Sequence, residues 1–150
     1  MMTEALTRAI VMAATAHNGQ TDKGGEPYIL HPLRVMLACR TEEQRIVAVL
    51  HDAVEDAGLD LCLISRQFGS DVGNAVNALT RRVGEAYETF INRCALDPIA
   101  LEVKLHDLTD NMDTSRLKRD MTAEDVRRQL KYSKAKTALQ SARQEQNNAQ

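Results

Sequence analysis

The chain has 150 residues, of which 43% are hydrophobic and 27% are charged, and its net charge is −2. This length is enough for one domain. The slightly negative net charge gives no support for binding to nucleic-acid polymers, because proteins that bind them usually carry a surplus of basic residues. No apolar run approaches the ~20 residues that a membrane span needs. The three cysteines form no paired motif and are expected to be small core residues. With no signal peptide visible, we expect a soluble cytoplasmic protein. The sequence leaves both a monomer and a homo-oligomer open.

Helical periodicity and capping signals recur along the whole chain. Apolar residues three and four positions apart predict a first helix from Thr3 to about Ala16, and a polar, glycine-rich loop follows over residues 17–27. Apolar stripes predict two further helices within residues 70–79 and 85–94. The remaining helices begin at a first-turn proline, a capping box or an aspartate cap, at Pro32, Thr41, Asp60, Asp97 with Pro98, and Thr122.

These helices leave no room for a convincing strand pattern or an internal domain boundary. The sequence therefore predicts an all-α fold of about seven or eight helices. In the last helix, Val126 and Leu130 are expected to face the core. One domain is expected to span residues 1–142, and the Gln- and Asn-rich residues 143–150 are expected to form a disordered polar tail.

The most informative stretch of the sequence runs from Ile46 to Asp56. Five consecutive apolar residues lead directly into His51, Asp52 and the two acids that follow. On a helix His51 lies over Glu55 and Asp52 over Asp56, because residues four apart share a face. An imidazole and carboxylates at the end of a buried helix are suitable metal ligands. A histidine in the core, hydrogen-bonded to a neighbouring acid, with Glu55 and Asp56 solvated, is the alternative interpretation.

Two other segments carry side chains of the same chemistry. His31 precedes Pro32 at the start of a helix, where the proline restricts the backbone and leaves the imidazole free to be oriented by the preceding loop. Asp107 and Asn111 share one helical face, with Lys104 one turn earlier. Taken alone, His31 is a cap or surface residue and the Asp107 face is an ordinary solvated one.

In sequence order these residues form the pattern H…HD…D, and the flanking sequence makes this pattern specific. The matching blocks are AHNGQ at 16–20, GEPYILHP at 25–32, LHDAVED at 50–56, FG at 68–69, LT at 79–80, VKLHD at 103–107 and NM at 111–112. In these blocks the sequence resembles the HD-domain metal-dependent phosphohydrolases, and within them the hydrolase module of the RelA/SpoT homologue family. The chain is too short to hold the synthetase half of the long members. The nearest likeness is to the small stand-alone alarmone hydrolases.

The resemblance implies a helical HD-domain bundle with one divalent metal. It implies that His31, His51, Asp52 and Asp107 hold the metal, usually Mn²⁺ in this family, although the same ligands also suit Fe²⁺ or Zn²⁺. It implies that Glu55 and Asp56 are the catalytic carboxylates and flank the attacking water. It also implies that the substrate is guanosine 3′-diphosphate 5′-di- or triphosphate, cut at the ribose 3′ oxygen.

On the substrate side the resemblance extends to three residues. Lys23 corresponds to a phosphate-binding position, Asn111 to an asparagine near the nucleoside, and Arg81 follows the LT block as a candidate phosphate partner. Tyr28 serves either packing or ligand contact.

Two positions depart from the family pattern. Asp22 stands where an arginine is usual, which weakens a tetraphosphate site because an anion replaces a cation. His106 stands before the metal aspartate, where a small residue is usual. It either faces away from the site or modulates it.

Two alternatives stay open, and Asp22 motivates the first. One keeps the metal chemistry but changes the substrate to another small nucleotide or phosphoester, as in a nucleotidase or dinucleotide phosphatase. The other is a metal-stabilised binding module without turnover. Glu55 and Asp56 argue against this second alternative, because a purely structural metal site has no need of two further acids.

Overall fold

A computed structural model describes residues 4–150, and regular secondary structure in that range is helical throughout. One isolated antiparallel bridge joins Thr21 and Pro27. The predicted cap Thr3 lies outside the described residues. The helices are α1 (Glu4–Ala16), α2 (Leu30–Ala38), α3 (Glu42–Leu50), α4 (Ala53–Ala57), α5 (Leu61–Phe68), α6 (Ser70–Ala78), α7 (Tyr87–Ala95), α8 (Pro98–Met112) and α9 (Ala123–Asn148).

The predicted all-α class is confirmed, with nine helices between residues 4 and 150 instead of seven or eight. The difference arises at His51 and Asp52, where the helix through Leu50 stops and the one-turn helix α4 begins. Both residues keep right-handed helical backbone angles. The Asp56 N–H donates to the Asp52 carbonyl at 2.8 Å, so the predicted four-residue spacing of Asp52 and Asp56 on one helical turn is kept in α4.

Helix α3 lies at the centre of the molecule. Its residues from Ile46 to Leu50 are at most 4% exposed, and α3 contacts α1, α2, α6 and α8. Burying a Val, Leu or Ile side chain contributes roughly 1.5–3 kcal/mol, so this apolar run fixes α3 in place. Because α2 and α8 also contact each other, three helices meet at the point where α3 ends.

The capping signals in the sequence locate the helix starts well. The Thr41 hydroxyl accepts from the Gln44 N–H at 3.1 Å, and the Gln44 side chain accepts from the Thr41 N–H at 3.3 Å, which completes a capping box. The Asp97 carboxylate caps α8 by accepting from the N–H groups of Ile99 and Ala100. Thr122 begins α9 with a second capping box.

The predicted inward face of α9 is wrong. Val126 and Leu130 are 48% and 58% exposed, whereas Ala135 and Leu139 are buried. The buried positions follow the spacing of a helical face that also includes the half-buried Tyr132. Only a few apolar residues mark this long polar helix, so the sequence pattern defines its register poorly.

The segment expected to form a disordered tail, residues 143–150, is helical through Asn148. The Gln146 side chain donates to the Ala95 carbonyl at the end of α7, at 2.8 Å. Arg143 donates to Glu102 of α8 at 3.4 Å. Polar residues without Gly or Pro continue a helix readily, and these two contacts dock its end.

Among residues 4–150, no helix combines the length and the apolar character needed to cross a membrane. The cysteines are free: Cys39 and Cys94 are buried as expected, whereas Cys62 is exposed on α5.

Candidate metal centre

The four predicted metal ligands converge on one point. His31 is near the start of α2, His51 and Asp52 occupy the break between α3 and α4, and Asp107 lies within α8. The Nε2 atoms of His31 and His51 lie 2.9 and 3.2 Å from the same Asp107 oxygen, Oδ1. The Asp52 Oδ2 atom lies 3.2 Å from His51 Nε2 and 3.6 Å from His31 Nε2. Ligand atoms of His31, His51 and Asp52 all lie within 4.8 Å of one another.

The second ring nitrogen of each histidine determines what the first can do. The His51 Nδ1 contacts the Ala48 carbonyl, and the His31 Nδ1 contacts the Asp110 carboxylate at 2.6 Å. A carbonyl and a carboxylate only accept hydrogen bonds, so both Nδ1 atoms donate. In a neutral imidazole the lone pair is then on Nε2, which faces the carboxylates of Asp52 and Asp107. Imidazoles with a fixed Nδ1–H and carboxylates around one point are the donor set of a divalent metal site, and the residues present fit one.

The charge balance of the cluster also favours a cation. Burial lowers the pKa of His31, but its contacts with Asp107 and Asp110 and the charge of Asp52 outweigh burial and raise that pKa to about 10. For His51, burial likewise lowers the pKa, and the neighbouring Asp52 and Asp107 raise it overall. The buried carboxylates therefore require nearby positive charge, which protonated imidazoles or a bound cation can supply.

Three side chains hold the two carboxylates. The Tyr28 hydroxyl donates to Asp52 Oδ2 at 2.6 Å, so this tyrosine contacts the cluster and does not merely pack. The Lys104 ammonium, only 12% exposed, donates to Asp107 Oδ2 at 2.7 Å. Asn111 donates to Asp107 Oδ1 at 3.3 Å. Burial raises the pKa of Asp107, but Lys104 and the two imidazoles lower it well below its usual value, so Asp107 is an anion.

An ion-pair cluster around Asp110, which sequence reasoning missed, adjoins the candidate metal centre. Asp110 accepts from His31 and from two guanidinium nitrogens of Arg34, at 2.8 and 3.0 Å. Arg116 lies 3.4 Å from the same carboxylate. Burial raises the pKa of Asp110, but His31 and Arg34 lower it overall. The signal was present, because Asp110 follows Asp107 by one helical turn and Arg34 follows His31 by one turn.

The two predicted catalytic acids lie on α4, beside the cluster. Glu55 and Asp56 are exposed. Partial burial and then the neighbouring Asp56 raise the pKa of Glu55, while partial burial and then Asp52 raise the pKa of Asp56. Each carboxylate is therefore more basic than in free solution, which suits a group that accepts a proton near neutral pH.

A cavity of about 410 Å³ opens next to His31. Of the three predicted substrate residues, Lys23 and Asn111 line it. Arg81 does not: its guanidinium lies 5.5 Å from the centre of the Tyr87 ring and donates to the Glu85 carbonyl. The Arg81 backbone amide instead acts on Glu55: burial raises the pKa of this carboxyl overall, and the amide has a lowering effect on it. The rest of the cavity wall comes from the 21–26 loop, Tyr28, α2, the end of α8, the residues after α8 and the first turns of α9.

The two departures from the family pattern have separate structural roles. One oxygen of Asp22 accepts from the N–H groups of Gly24 and Glu26, both at 2.9 Å. Asp22 therefore organises the loop that carries Lys23, as aspartates commonly do in turns. His106 is half-buried, and burial lowers its pKa. The charges that also act on this pKa are those of Glu102, Arg143 and Arg40, none of which belongs to the candidate metal centre.

Comparison with known proteins assigns the fold to a family. Residues 9–148 match the HD domain, and the chain belongs to the HD-domain family. Its relatives include longer proteins named as a GTP pyrophosphokinase and a guanosine-3′,5′-bis(diphosphate) 3′-pyrophosphohydrolase. It is 38% identical over 122 residues to a probable GTP pyrophosphokinase of Mycobacterium leprae, covering 73% of this chain and 16% of that protein. It is 35% identical over 123 residues to a guanosine-3′,5′-bis(diphosphate) 3′-pyrophosphohydrolase of Aquifex aeolicus, covering 74% of this chain and 18% of that protein.

The chain thus spans less than one fifth of the length of these relatives. Among solved structures it resembles a metazoan ortholog of SpoT that hydrolyzes ppGpp, with a TM-score of 0.77. That similarity covers 93% of this chain and 86% of the other at 23% identity. At this identity the structural likeness supports the fold.

Proposed function

We propose that this chain is a metal-dependent phosphohydrolase that removes the 3′-diphosphate of guanosine 3′,5′-bis(diphosphate) and related alarmones. The products are GDP or GTP and pyrophosphate. The observation that carries the proposal is the convergence of His31, His51, Asp52 and Asp107 in an HD-domain chain. The substrate is supported by the name of the Aquifex aeolicus relative, a guanosine-3′,5′-bis(diphosphate) 3′-pyrophosphohydrolase.

These four side chains would hold one divalent ion. Two imidazoles and two carboxylates suit Mn²⁺, Fe²⁺ or Zn²⁺, and we propose Mn²⁺. When bound, such an ion lowers the pKa of water and polarises a phosphoryl oxygen. Tyr28 and Lys104 keep the two carboxylates aimed at the centre through their hydrogen bonds to Asp52 and Asp107.

Glu55 or Asp56 would accept the proton of the attacking water. The water oxygen bonds to the phosphorus attached to the ribose 3′ oxygen, and the bond between that phosphorus and the 3′ oxygen breaks. The 3′ oxygen leaves as a hydroxyl after taking up a proton, and pyrophosphate is released. Charge stabilisation matters more than covalent chemistry in such a transfer, so Lys23, on the cavity wall, would bind a phosphate oxygen. Asn111 would contact the nucleoside, and Arg81, outside the cavity wall, is the weakest of the three substrate assignments.

The leaving group tests this reaction. Purified protein with Mn²⁺ and guanosine 3′,5′-bis(diphosphate) should release GDP and pyrophosphate in equal amounts, which phosphorus NMR distinguishes from orthophosphate. Asp52→Ala, which removes a ligand, should abolish turnover. Orthophosphate as the released product would contradict the proposed bond cleavage. With this substrate class we also propose a cytoplasmic location, which suits three free cysteines.

The charges of the cavity favour a second candidate, a hydrolase of a less charged nucleotide or phosphoester. The three arginines of the cavity wall already form ion pairs with carboxylates: Arg34 with Asp110, Arg116 with Asp110 and Asp113, and Arg128 with Glu124 and Asp125. A cavity whose positive charges are neutralised in this way attracts a tetraphosphate less strongly than a cavity with unpaired basic side chains does. A panel of nucleotides that differ only in 5′ phosphorylation separates the two candidates, because this second candidate predicts the higher kcat/KM for the less phosphorylated compound.

A further inference from the structure

His31 uses both of its ring nitrogens, and each contacts a carboxylate of the same helix. Its Nε2 lies 2.9 Å from Asp107, and its Nδ1 donates to Asp110 at 2.6 Å. The two aspartates are three residues apart on α8, so they lie one above the other on a single face. The imidazole of His31, on α2, is thus held between successive turns of α8.

Asp110 is itself held in place. Arg34 donates to both of its oxygens, at 2.8 and 3.0 Å, and Arg116 lies 3.4 Å away. The pair His31 and Arg34 on α2 therefore faces the pair Asp107 and Asp110 on α8, each pair with a three-residue spacing. With its side chain 13% exposed and two guanidinium partners, the Asp110 carboxylate has little freedom to turn away from His31.

The two histidines differ in this respect. His51 donates its Nδ1 proton to the Ala48 carbonyl, three residues earlier, where the helix backbone fixes the acceptor. His31 has a charged acceptor from a different helix. A carboxylate that accepts a hydrogen bond from a metal-binding imidazole fixes the tautomer of the ring. It also makes the opposite nitrogen a stronger electron-pair donor to the metal.

We propose that Asp110 is a positioning residue for His31, which keeps the proton on Nδ1 and directs the Nε2 lone pair at the metal centre. Arg34 supports this role because it orients Asp110 and neutralises its charge. The inference rests on the proposed metal-dependent function, and it assigns a task to a residue outside the four ligands and the two acids.

A purely structural role is the competing explanation. In that case the Asp110 cluster only ties α2 and the segment after α8 together, and its loss lowers stability without changing the intrinsic metal affinity. Metal affinity and thermal stability must therefore be measured separately on each variant.

The test is calorimetric titration of the purified, folded chain with Mn²⁺. Asp110→Asn should weaken Mn²⁺ binding about 10- to 100-fold, the usual effect of removing such a partner. Asp113→Asn is the matched control, because this substitution removes the same charge as Asp110→Asn. Asp113 is exposed and contacts the same Arg116, at 3.1 Å. The control should change the Kd less than about twofold, in keeping with the small worth of an exposed ion pair. Raising the Mn²⁺ concentration should restore much of the turnover of Asp110→Asn.

Arg34→Gln provides a second variant if Asp110→Asn does not fold. It retains the Asp110 carboxylate but removes its main support, so it should weaken Mn²⁺ binding by a smaller factor than Asp110→Asn. Wild-type affinity in a folded Asp110→Asn or, where that variant fails, in Arg34→Gln would overturn the positioning role. Absence of Mn²⁺ binding by the wild-type chain would instead overturn the proposed function, and this inference with it.

Discussion

Glu55 and Asp56 differ in exposure from the four proposed ligand residues. The histidines and Asp107 are buried, whereas these two acids are exposed at the rim. Water can therefore reach them without entering the core. Their raised pKa values come from partial burial and from adjacent carboxylates, and a carboxylate next to another anion accepts a proton more readily. These are the properties needed to receive a proton from an attacking water.

Replacing Glu55 by Gln should therefore slow turnover while leaving the metal in place. We expect kcat to fall about 10²- to 10⁴-fold, the usual range for the loss of a general base. The wild-type rate should also fall as the pH drops below the raised pKa of this carboxyl, because the protonated form cannot accept a proton. Steady-state kinetics across pH, with Mn²⁺ affinity measured in parallel, checks both points.

Glu43→Gln is the control, since Glu43 is an acid in the first turn of α3, at the end of that helix away from His51. It should leave the rate and the pH profile unchanged. Wild-type turnover in Glu55→Gln would transfer the role of base to Asp56, and Asp56→Asn would then have to show the loss.

At this scale the sequence predicts residues that belong to a spaced motif and misses those that depend on packing. His31, His51, Asp52 and Asp107 stand in recognisable text, and the structure brings them together. Asp110 and Arg34 each lie one helical turn beyond a motif residue, but the sequence does not show which side chains will meet. The contacts of Asp110 with Arg34 and of Tyr28 with Asp52 join residues 76 and 24 positions apart. Only the crossing of α2, α3 and α8 determines which of these side chains meet.

Among the helices, α9 offers the clearest test of packing. Leu139 is fully buried, whereas Leu130 on the same helix is 58% exposed. Leu139→Ala should lower the free energy of unfolding by about 2–5 kcal/mol, the usual cost of truncating a buried leucine. Leu130→Ala should change it by about 0.5 kcal/mol or less. Chemical denaturation of both variants measures the difference, and the reverse order would restore the register predicted from sequence.

Helix starts were more predictable than helix faces. Thr41, Asp97 and Thr122 each satisfy backbone N–H groups within three residues, so the necessary information is local. The inward face of α9 and its continuation through Asn148 depend instead on contacts with α7 and α8, such as the bond between Gln146 and the Ala95 carbonyl. Composition alone could not anticipate those contacts.

The loop between α1 and α2 supports a further prediction. Asp22 accepts two backbone hydrogen bonds that shape this loop, and Lys23 next to it lines the cavity. Asp22→Ala should loosen the loop and raise KM several-fold while leaving Mn²⁺ affinity unchanged. Asp22→Asn, which retains an acceptor oxygen, should stay close to the wild type. A lower KM for Asp22→Ala would mean that the negative charge repels substrate more than the turn assists it.

For the whole molecule, the candidate metal centre joins segments that are far apart in sequence. His31, the His51–Asp52 pair and Asp107 come from α2, from the break after α3 and from α8. The residues from Ile46 to Leu50 are buried in the apolar core, so we expect that core to hold these segments together without metal. Burial lowers the pKa of His31, but its contacts with Asp107 and Asp110 raise it overall, so this imidazole can balance the buried carboxylates by taking up a proton. The chain should therefore fold without metal and gain stability when metal binds.

Thermal unfolding with and without Mn²⁺ measures this gain. A ligand that binds only the folded state, at 100 times its Kd, adds about 2.7 kcal/mol to the free energy of unfolding. For a chain of this size that corresponds to an increase in Tm of roughly 5–10 °C. A chelator should reverse the shift but leave a cooperative transition. His51→Ala should lose the shift, because an Nε2 donor is missing, whereas His106→Ala should retain it, since His106 has its charged neighbours outside the cluster. Collapse of the fold on chelation would mean that the metal, and not the core around α3, holds these helices together.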